Sequence, residues 1–555
     1  MGRRLYLALL PLVAVSLLLA CQPPAGSSTD GAGQQAAGEG EGEGEGEGEG
    51  EGEGEGEGEG EAPLACEPLI EGATQIVEGE VLDVVVRCAT GKVVDFEAPA
   101  IPIAPPGLTL DPDHHVRWTT DFDDATVFDL EVQDPETRET VRVHVAVADA
   151  FGVDGNVPVV DPATYTEEFG LPVLMLSRLP DAEAYVDVDI VADGHVYVAQ
   201  TKLRGASSLG YPKRSFTLKF NSDDRFNLPA RAGQTSADNF VDKKKVVLTT
   251  TFDDSSSVRQ RLAYQLWNRT STGPVHHHVQ IETTSVVVYV GSDYLGLYTM
   301  TDHVDRDLFE ESLDLHDDGQ LYKSISHDAN FRNVDDPGAG FERRDEPDVD
   351  AVVPYSDLAE LIAVANSAAT DSFAQSISPL INVDDVQAWW VFATAILGED
   401  SYGKNAYLYR PATSNDGSAP RFRFAPWDFN HAFGQAWETS RTDSDVPVDV
   451  GWPMDTNLLW QRLLEDPVAG VAMRAAYADA LRQSLREDDV IALYEAMVAE
   501  TERAARRDAA VWADDYVGYY GRTDAAYDDE VQLVRTWIVA RWAYLRAVFP
   551  EHPPD

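Results

Sequence analysis

The spacing of apolar residues changes period once along this chain, and that change limits the folds open to it. From about residue 158 to 305 apolar positions alternate in runs such as "YVDVDIVADGHVYVAQTKLRG" and "VQIETTSVVVYVGSDYLGLYTM", the period of half-buried strands. One amphipathic stretch, "SSSVRQRLAYQLWNRT", interrupts them, with Asp254 or Ser255 as its natural N-cap. After an irregular acidic stretch at 326–352, apolar residues recur three and four apart. They do so in "YSDLAELIAVANSAA", "DDVQAWWVFATAIL", "MRAAYADALRQSL", "DVIALYEAMVAETERAARRDAAVW" and "EVQLVRTWIVARWAYLRAVF". Strands followed by helices predict an α+β, two-lobed arrangement, and crevices between lobes are where ligands usually sit.

Upstream the chain reads as three further segments. Residues 66 to 150 hold short alternating runs ("VLDVVVRC", "HVRWTT", "TVFDLEVQ", "TVRVHVAVAD") separated by Gly, Pro and Asp turns, which predicts a small β-sandwich similar to bacterial Ig-like modules. Between Gly38 and Glu61 the sequence alternates Gly and Glu strictly. With twelve like charges and no apolar side chain it cannot bury a core, so residues 21–65 are expected to act as a disordered linker. The 44 residues from Gln22 to Ala65 span roughly 150 Å when fully extended. Residues 1–20, "MGRRLYLALLPLVAVSLLLA", read as an export signal, because the apolar run is short for a spanning helix and ends on a small residue. The tail "LLLAC" resembles the lipobox of bacterial lipoproteins, which makes Cys21 the expected lipidation point. Gln22 after it fits an outer-membrane or cell-surface destination. The two remaining cysteines, Cys66 and Cys88, are a plausible disulfide in an exported chain, worth about 3 kcal/mol by loop closure.

Charge narrows the partners. Lys and Arg total 42 against 96 Asp and Glu, a net −54, which argues against nucleic acid and against an anionic membrane surface. Membrane contact is expected only through the lipid anchor, and most of the carboxylates are read as solubilising surface.

Two acidic signatures could carry chemistry. "LGEDSYGKNAYLYR" places Asp400 and Asn405 after the predicted helix "WWVFATAI", and "FAPWDFNHAFG" places Asp428 in a turn after a strand. An Asp to accept a hydroxyl proton, an Asn as a neutral oxygen ligand and an Asp as a charged one are what Mg²⁺-dependent phosphoryl transfer uses. The interval D-x-x-x-x-N and the later Asp repeat the order of the protein-kinase catalytic loop and its magnesium-binding Asp. On residue type alone, all three also suit ordinary turns.

Five motifs in order, "KLRGASSLGYPKRSFTLKF", "FDDSSSVRQRLAYQLW", "GSDYLGLYTMTDHVDRDLF", "DSYGKNAYLYR" and "PWDFNHAFG", resemble the CotH family, the spore coat protein H type kinases, over residues 158–550. The resemblance implies an atypical protein-kinase-like fold using ATP and Mg²⁺ (or Mn²⁺) to phosphorylate secreted or cell-surface proteins. By position, Asp400 matches the catalytic Asp, Asn405 the Asn of the second metal site and Asp428 the main magnesium ligand. Lys202, Arg204, Lys213 and Lys219 fall in the family's cationic stretch near nucleotide, with Lys219 the best counterpart of the kinase strand lysine. Asp302, in "YTMTDHV", stands where the family usually has Glu in its lobe-connecting segment, and Lys404 is a candidate neutraliser of the transferring phosphate. "HHH" at 276–278 reads as surface, because adjacent histidines on a strand point to opposite faces. A catalytically inactive surface-display or adhesion protein and a nucleotide-sensing pseudokinase stay open as alternatives.

Overall fold

The computed structural model describes residues 68–77, 81–88, 107–110, 115–120, 126–133, 140–148 and 165–550, the last apart from 232–234, 236–239, 271–276, 292, 315–318, 345–353, 414–418 and 521–526. The expected signal, Cys21, the Gly-Glu linker, Cys66 with its pairing to Cys88, His276 and the acidic tract 345–353 therefore lie outside the described residues. Among the described residues, no helix is long and apolar enough to cross a membrane.

In the N-terminal segment, β1 (Pro68–Glu71), β3 (Val81–Cys88), β4 (Thr109–Leu110) and β5 (His115–Thr119) form one antiparallel sheet in the order β1-β3-β5-β4. A second sheet, β2-β7-β6, is built from β2 (Gln75–Val77), β6 (Thr126–Gln133) and β7 (Thr140–Ala148). Trp118 of the first sheet meets Phe128 of the second edge to face at 6.1 Å.

The next strands are β8 (Glu167–Glu168), β9 (Leu171–Leu176), β10 (Val186–Ala192), β11 (His195–Arg204), β12 (Ser215–Phe220), the small hairpin β13 (Phe226–Leu228) with β14 (Phe240–Lys243), β15 (Lys245–Thr250), β16 (Thr283–Val290) and β17 (Asp293–Asp302). They pair in the order β10-β11-β12-β15-β17-β16-β9-β8, and β9 also pairs with β10, so the sheet curls until its edges meet. Closure hides both edges. β9 is buried at every position and lies parallel to β16, whereas β11 alternates, with Tyr197, Ala199, Thr201 and Leu203 inward and Lys202 and Arg204 on the other face. Because Gln200 pairs with Lys219, Lys219 shares the face of Lys202 and Arg204.

Helix α1 (Arg259–Thr270) starts a few residues later than a cap at Asp254 or Ser255 implies, but the Asp254 carboxylate still accepts from the Arg259 and Ser256 backbone N–H groups at its entrance. His278 corrects the surface reading. It is fully buried and stacked on Trp267 at 3.9 Å, with Nε2 3.0 Å from the Trp267 carbonyl, because the chain after α1 returns across the helix instead of continuing as an exposed strand. His277, its neighbour, is exposed.

The helical half contains α2 (Arg306–Leu313), α3 (Ser356–Ser367), α4 (Phe373–Ile377), α5 (Val383–Ala395), α6 (Trp452–Thr456), α7 (Leu458–Glu465), α8 (Ala469–Arg482), α9 (Glu487–Val511), α10 (Ala513–Tyr520) and α11 (Tyr527–Val548). It also holds a four-stranded antiparallel sheet, ordered β19-β18-β20-β21, from β18 (Gln320–Ser324), β19 (Phe341–Arg343), β20 (Ala406–Arg410) and β21 (Arg423–Pro426). Alternation over such short strands is a weak signal beside the long helical periods, and only the last was anticipated. Trp389 of α5 stacks on Phe424 at 4.0 Å and meets Trp460 of α7 edge-on at 5.0 Å, which locks helices to sheet.

A fully buried ion pair joins α9 to the strands. Lys213 Nζ bonds both Asp508 carboxylate oxygens (2.6 and 2.7 Å), the Leu297 carbonyl (2.6 Å) and Thr251 Oγ1 (3.0 Å). Asp508 Oδ1 in turn accepts from the Leu297 N–H at 2.8 Å. Gly296 permits this approach, since a Cβ there would stand 2.3 Å from Asp508 Oδ1, and its φ is +139°.

Candidate active site

The apolar run of α5 stops in a Schellman motif. Leu397 turns left-handed (φ 50°), its N–H reaching the Thr394 carbonyl at 3.4 Å, while the Gly398 N–H bonds the Ala393 carbonyl at 2.9 Å. A Cβ on Gly398 would collide with Phe429 at 2.8 Å, so the turn packs directly on the residue after Asp428. A short 3₁₀ turn, Glu399–Ser401, then presents Asp400 from the end of a buried helix.

Asn405 stands just before β20 in a left-handed position (φ 55°), its N–H on the Ser324 carbonyl and its carbonyl accepting from the Trp427 N–H, both at 3.0 Å. Asp428 follows β21, again left-handed (φ 66°). Its N–H bonds the Tyr264 hydroxyl at 3.1 Å and its carbonyl accepts from Ser401 Oγ at 3.0 Å. Asn and Asp tolerate this conformation better than most residues, so sequence and backbone agree at both positions. Phe429 anchors the turn, buried against Phe392 at 4.9 Å.

The structure brings Asp400, Asn405 and Asp428 together. The Asn405 amide donates to Asp400 Oδ2 at 2.9 Å, and Lys404 Nζ holds both oxygens at 3.0 and 2.8 Å. His327 Nε2 lies 3.3 Å from Oδ1. Burial pushes the Asp400 carboxyl up, but the His327 hydrogen bond and the Lys404 charge outweigh it and hold it below the usual range. Lys404 is thus committed to Asp400 instead of standing free for a phosphate. Asp428 goes the other way, pushed up by burial and then by the Asp400 charge. Among the described residues, no donor reaches its carboxylate, and none reaches Asn405 Oδ1. Two uncommitted oxygens beside a second carboxylate suit a hard divalent cation, so the residues fit Mg²⁺ or Mn²⁺. Behind them the fully buried Asp253 accepts from Tyr211 at 3.1 Å and faces His431 Nε2 at 3.3 Å. That contact helps raise the His431 pKa against the effect of burial.

Cations gather near Asp428, with Lys323 in electrostatic reach of it. Arg204 lies over the Trp427 ring at 4.6 Å, Lys202 and Lys219 lie over Tyr185 at 4.9 and 5.3 Å, and Lys323 of β18 lies over Tyr407 at 5.9 Å. In a chain so rich in carboxylates, none of these four makes a carboxylate ion pair within the described residues, whereas Lys243, Lys244 and Lys245 nearby are all paired. Burial and then the charges of Arg204 and Arg344 push Lys323 down to about 8. Burial and then Arg344 and Arg204 lower Lys202. Unneutralised cations forced together raise the local positive potential, which favours an anion.

Two other sequence candidates are placed elsewhere. Lys213 is sealed in its pair with Asp508 and cannot reach a nucleotide. The Asp302 carboxylate is almost fully buried, bonded to Lys243 at 2.9 Å and to the Glu282 N–H at 2.9 Å, and its own N–H donates to the Glu282 carbonyl at 3.1 Å, so neither is free for a ligand. Sequence reading missed Lys323, Arg344, His327, His431 and Asp253. The alternation in "QLYKS" was a signal for Lys323; the others lie in turns or isolated positions with no spacing to betray them.

An Asp presented at the end of a buried helix, two uncommitted oxygens beside it and a group of cations without carboxylate partners are the residue types that a kinase-like site uses. Residues 201–545, well over half of the chain, match the family model described as CotH kinase protein, and the chain belongs to that family. No curated protein matches it.

Proposed function

We propose that this chain is an exported, lipid-anchored CotH-type kinase with a two-lobed kinase-like catalytic part, transferring the γ-phosphoryl group of ATP to Ser or Thr hydroxyls of secreted or cell-surface proteins. The observation that carries the reading is the uncommitted Asp428 carboxylate, set between Asp400 and the unpaired cations Arg204 and Lys323. Asp428 and Asn405 would hold Mg²⁺, which when bound neutralises phosphate charge. Lys202, Arg204, Lys219 and Lys323 draw in the polyphosphate. Asp400 orients the acceptor hydroxyl and takes its proton as the new O–P bond forms and the bond from γ-phosphorus to the bridging oxygen breaks, leaving ADP.

The test is the full chain with labelled ATP and Mg²⁺ or Mn²⁺, read by phosphate incorporation and by melting temperature. Wild type should gain thermal stability with MgATP. Asp428→Asn should lose the metal-dependent part of that gain yet melt higher than wild type without ligand, because a carboxyl whose folded pKa is raised stabilises only below the usual carboxylate range and loses that contribution as pH rises through its folded value. Lys323→Met should weaken nucleotide binding about tenfold, the scale of one charge-assisted phosphate contact. Wild-type affinity should fall as pH rises through about 8, where Lys323 loses its proton. A wild type that neither incorporates phosphate nor is stabilised by nucleotide would be a display or adhesion protein; stabilisation with no transfer would mark a pseudokinase.

A further inference from the structure

Of the chain's eleven tryptophans, only Trp437 and Trp452 are strongly exposed, at 50% and 47%. Each packs edge-to-face on a histidine of the catalytic cluster. Trp452 meets His327 at 5.2 Å, and His327 is 3.3 Å from the Asp400 carboxylate. Trp437 meets His431 at 5.5 Å, and His431 sits on Asp253 within electrostatic reach of Asp428 and Asp400.

Both indoles are held outward by local structure. The Trp452 ring N–H donates to the Glu399 carbonyl at 3.2 Å, one residue before Asp400, and the chain enters α6 through left-handed Gly451 with Pro453 following. Trp437 tops a tight turn in which Glu438 and Thr439 are both left-handed. That turn is closed by the Ala436 N–H on the Ser440 carbonyl at 2.8 Å, and Arg441 just beyond is pinned to Glu530 at 2.8 Å. Two consecutive non-glycine residues in that region are strained, and here the strain serves to point an indole at solvent. Val450, 59% exposed, extends the apolar surface beside Trp452.

Building on the phosphotransferase reading above, we infer that Trp437 and Trp452 form the acceptor-binding wall of the site and select polypeptide segments carrying an apolar or aromatic side chain close to the Ser or Thr that receives phosphate. Position assigns the acceptor side. The phosphate-attracting cations surround Trp427 and Tyr407, whereas Trp452 reaches the cluster through His327 on Asp400, the group that must meet the incoming hydroxyl, and Trp437 reaches it through His431 on Asp253. Chemistry assigns the occupant. The Trp452 N–H is spent on Glu399 and Val450 beside it is exposed, so this part of the surface offers apolar faces to an apolar or aromatic side chain. His327, the most exposed of the three side chains on Asp400, is the one an arriving hydroxyl can displace, which makes it a positioning residue.

A positional-scanning library of Ser peptides, with MgATP and the full chain, tests this. Wild type should favour Phe, Trp, Leu or Val within a few positions of the Ser. Trp452→Ala should flatten that preference and raise KM for the best peptide about tenfold, the size of a truncated aromatic anchor, with the MgATP stabilisation unchanged. Trp452→Phe should keep most of the preference, and Trp437→Ala should reduce it. Incorporation without apolar preference, preference untouched by Trp452→Ala, or transfer to glycan hydroxyls alone would overturn the wall and leave the kinase reading standing. So would a wild type stabilised by MgATP that phosphorylates no peptide. A wild type showing neither stabilisation nor incorporation defeats the kinase reading itself.

Discussion

Asp400→Asn is expected to cut phosphoryl transfer by about 10²–10⁴-fold, the usual contribution of a positioned general base, while nucleotide binding stays near wild type. The amide keeps the shape and the backbone of the turn, and the cations that attract phosphate lie over Trp427 and Tyr407, away from it. What is lost is the negative charge that Lys404, Asn405 and His327 all address. The measurement is a pair of values on one preparation, incorporation rate and MgATP melting shift. An equal loss in both would mean that Asp400 is a structural or metal-binding group instead. Fold stability should change little at neutral pH, because Asp400 is partly solvent-exposed and its pairing is screened. Its lowered pKa means that this small contribution is present above the usual carboxylate range and is lost as pH falls through the folded value.

The largest stability loss is expected from Lys213→Met. Removing the ammonium leaves the Asp508 carboxyl fully enclosed with only the Leu297 N–H and Thr251 as partners, so it must stay charged without compensation or take up a proton, which costs about 3–5 kcal/mol for a broken buried pair. The double variant Lys213→Met/Asp508→Leu should recover most of it, since an apolar pair of similar volume often matches a buried ion pair. Denaturant midpoints of the three proteins decide the matter, and a double variant no better than the single would show that the pair is needed for more than charge balance. The local glycine matters equally here, because Gly296 alone leaves room for Asp508 against β17.

Much of the architecture was readable because long elements repeat their signal. Five helices in the second half and the alternating strands before residue 305 are written in the period of the apolar residues, and Asp254 announced α1 through its capping chemistry. The sheet β18–β21 was mostly missed, since strands of three to five residues carry too few repeats. His278 was misread as surface because nothing local to "HHH" records that Trp267 waits beneath it.

The candidate site divides along the same line. Sequence by itself determined which oxygens were available: Asp400 after a helix, Asn405 and Asp428 as residues able to take left-handed turns, and a basic run on one strand face through Lys202 and Arg204. Only the tertiary structure decided their employment. It turned Lys213 inward and set Lys404 on Asp400. It brought Lys323 from a second sheet, and Arg344 from just past that sheet's edge strand, to the cationic group and tied Asp302 to Lys243. A residue's chemistry is local and can be read from its type and spacing. Whether its charge is neutralised depends on partners tens or hundreds of positions away, and no period in the sequence records them.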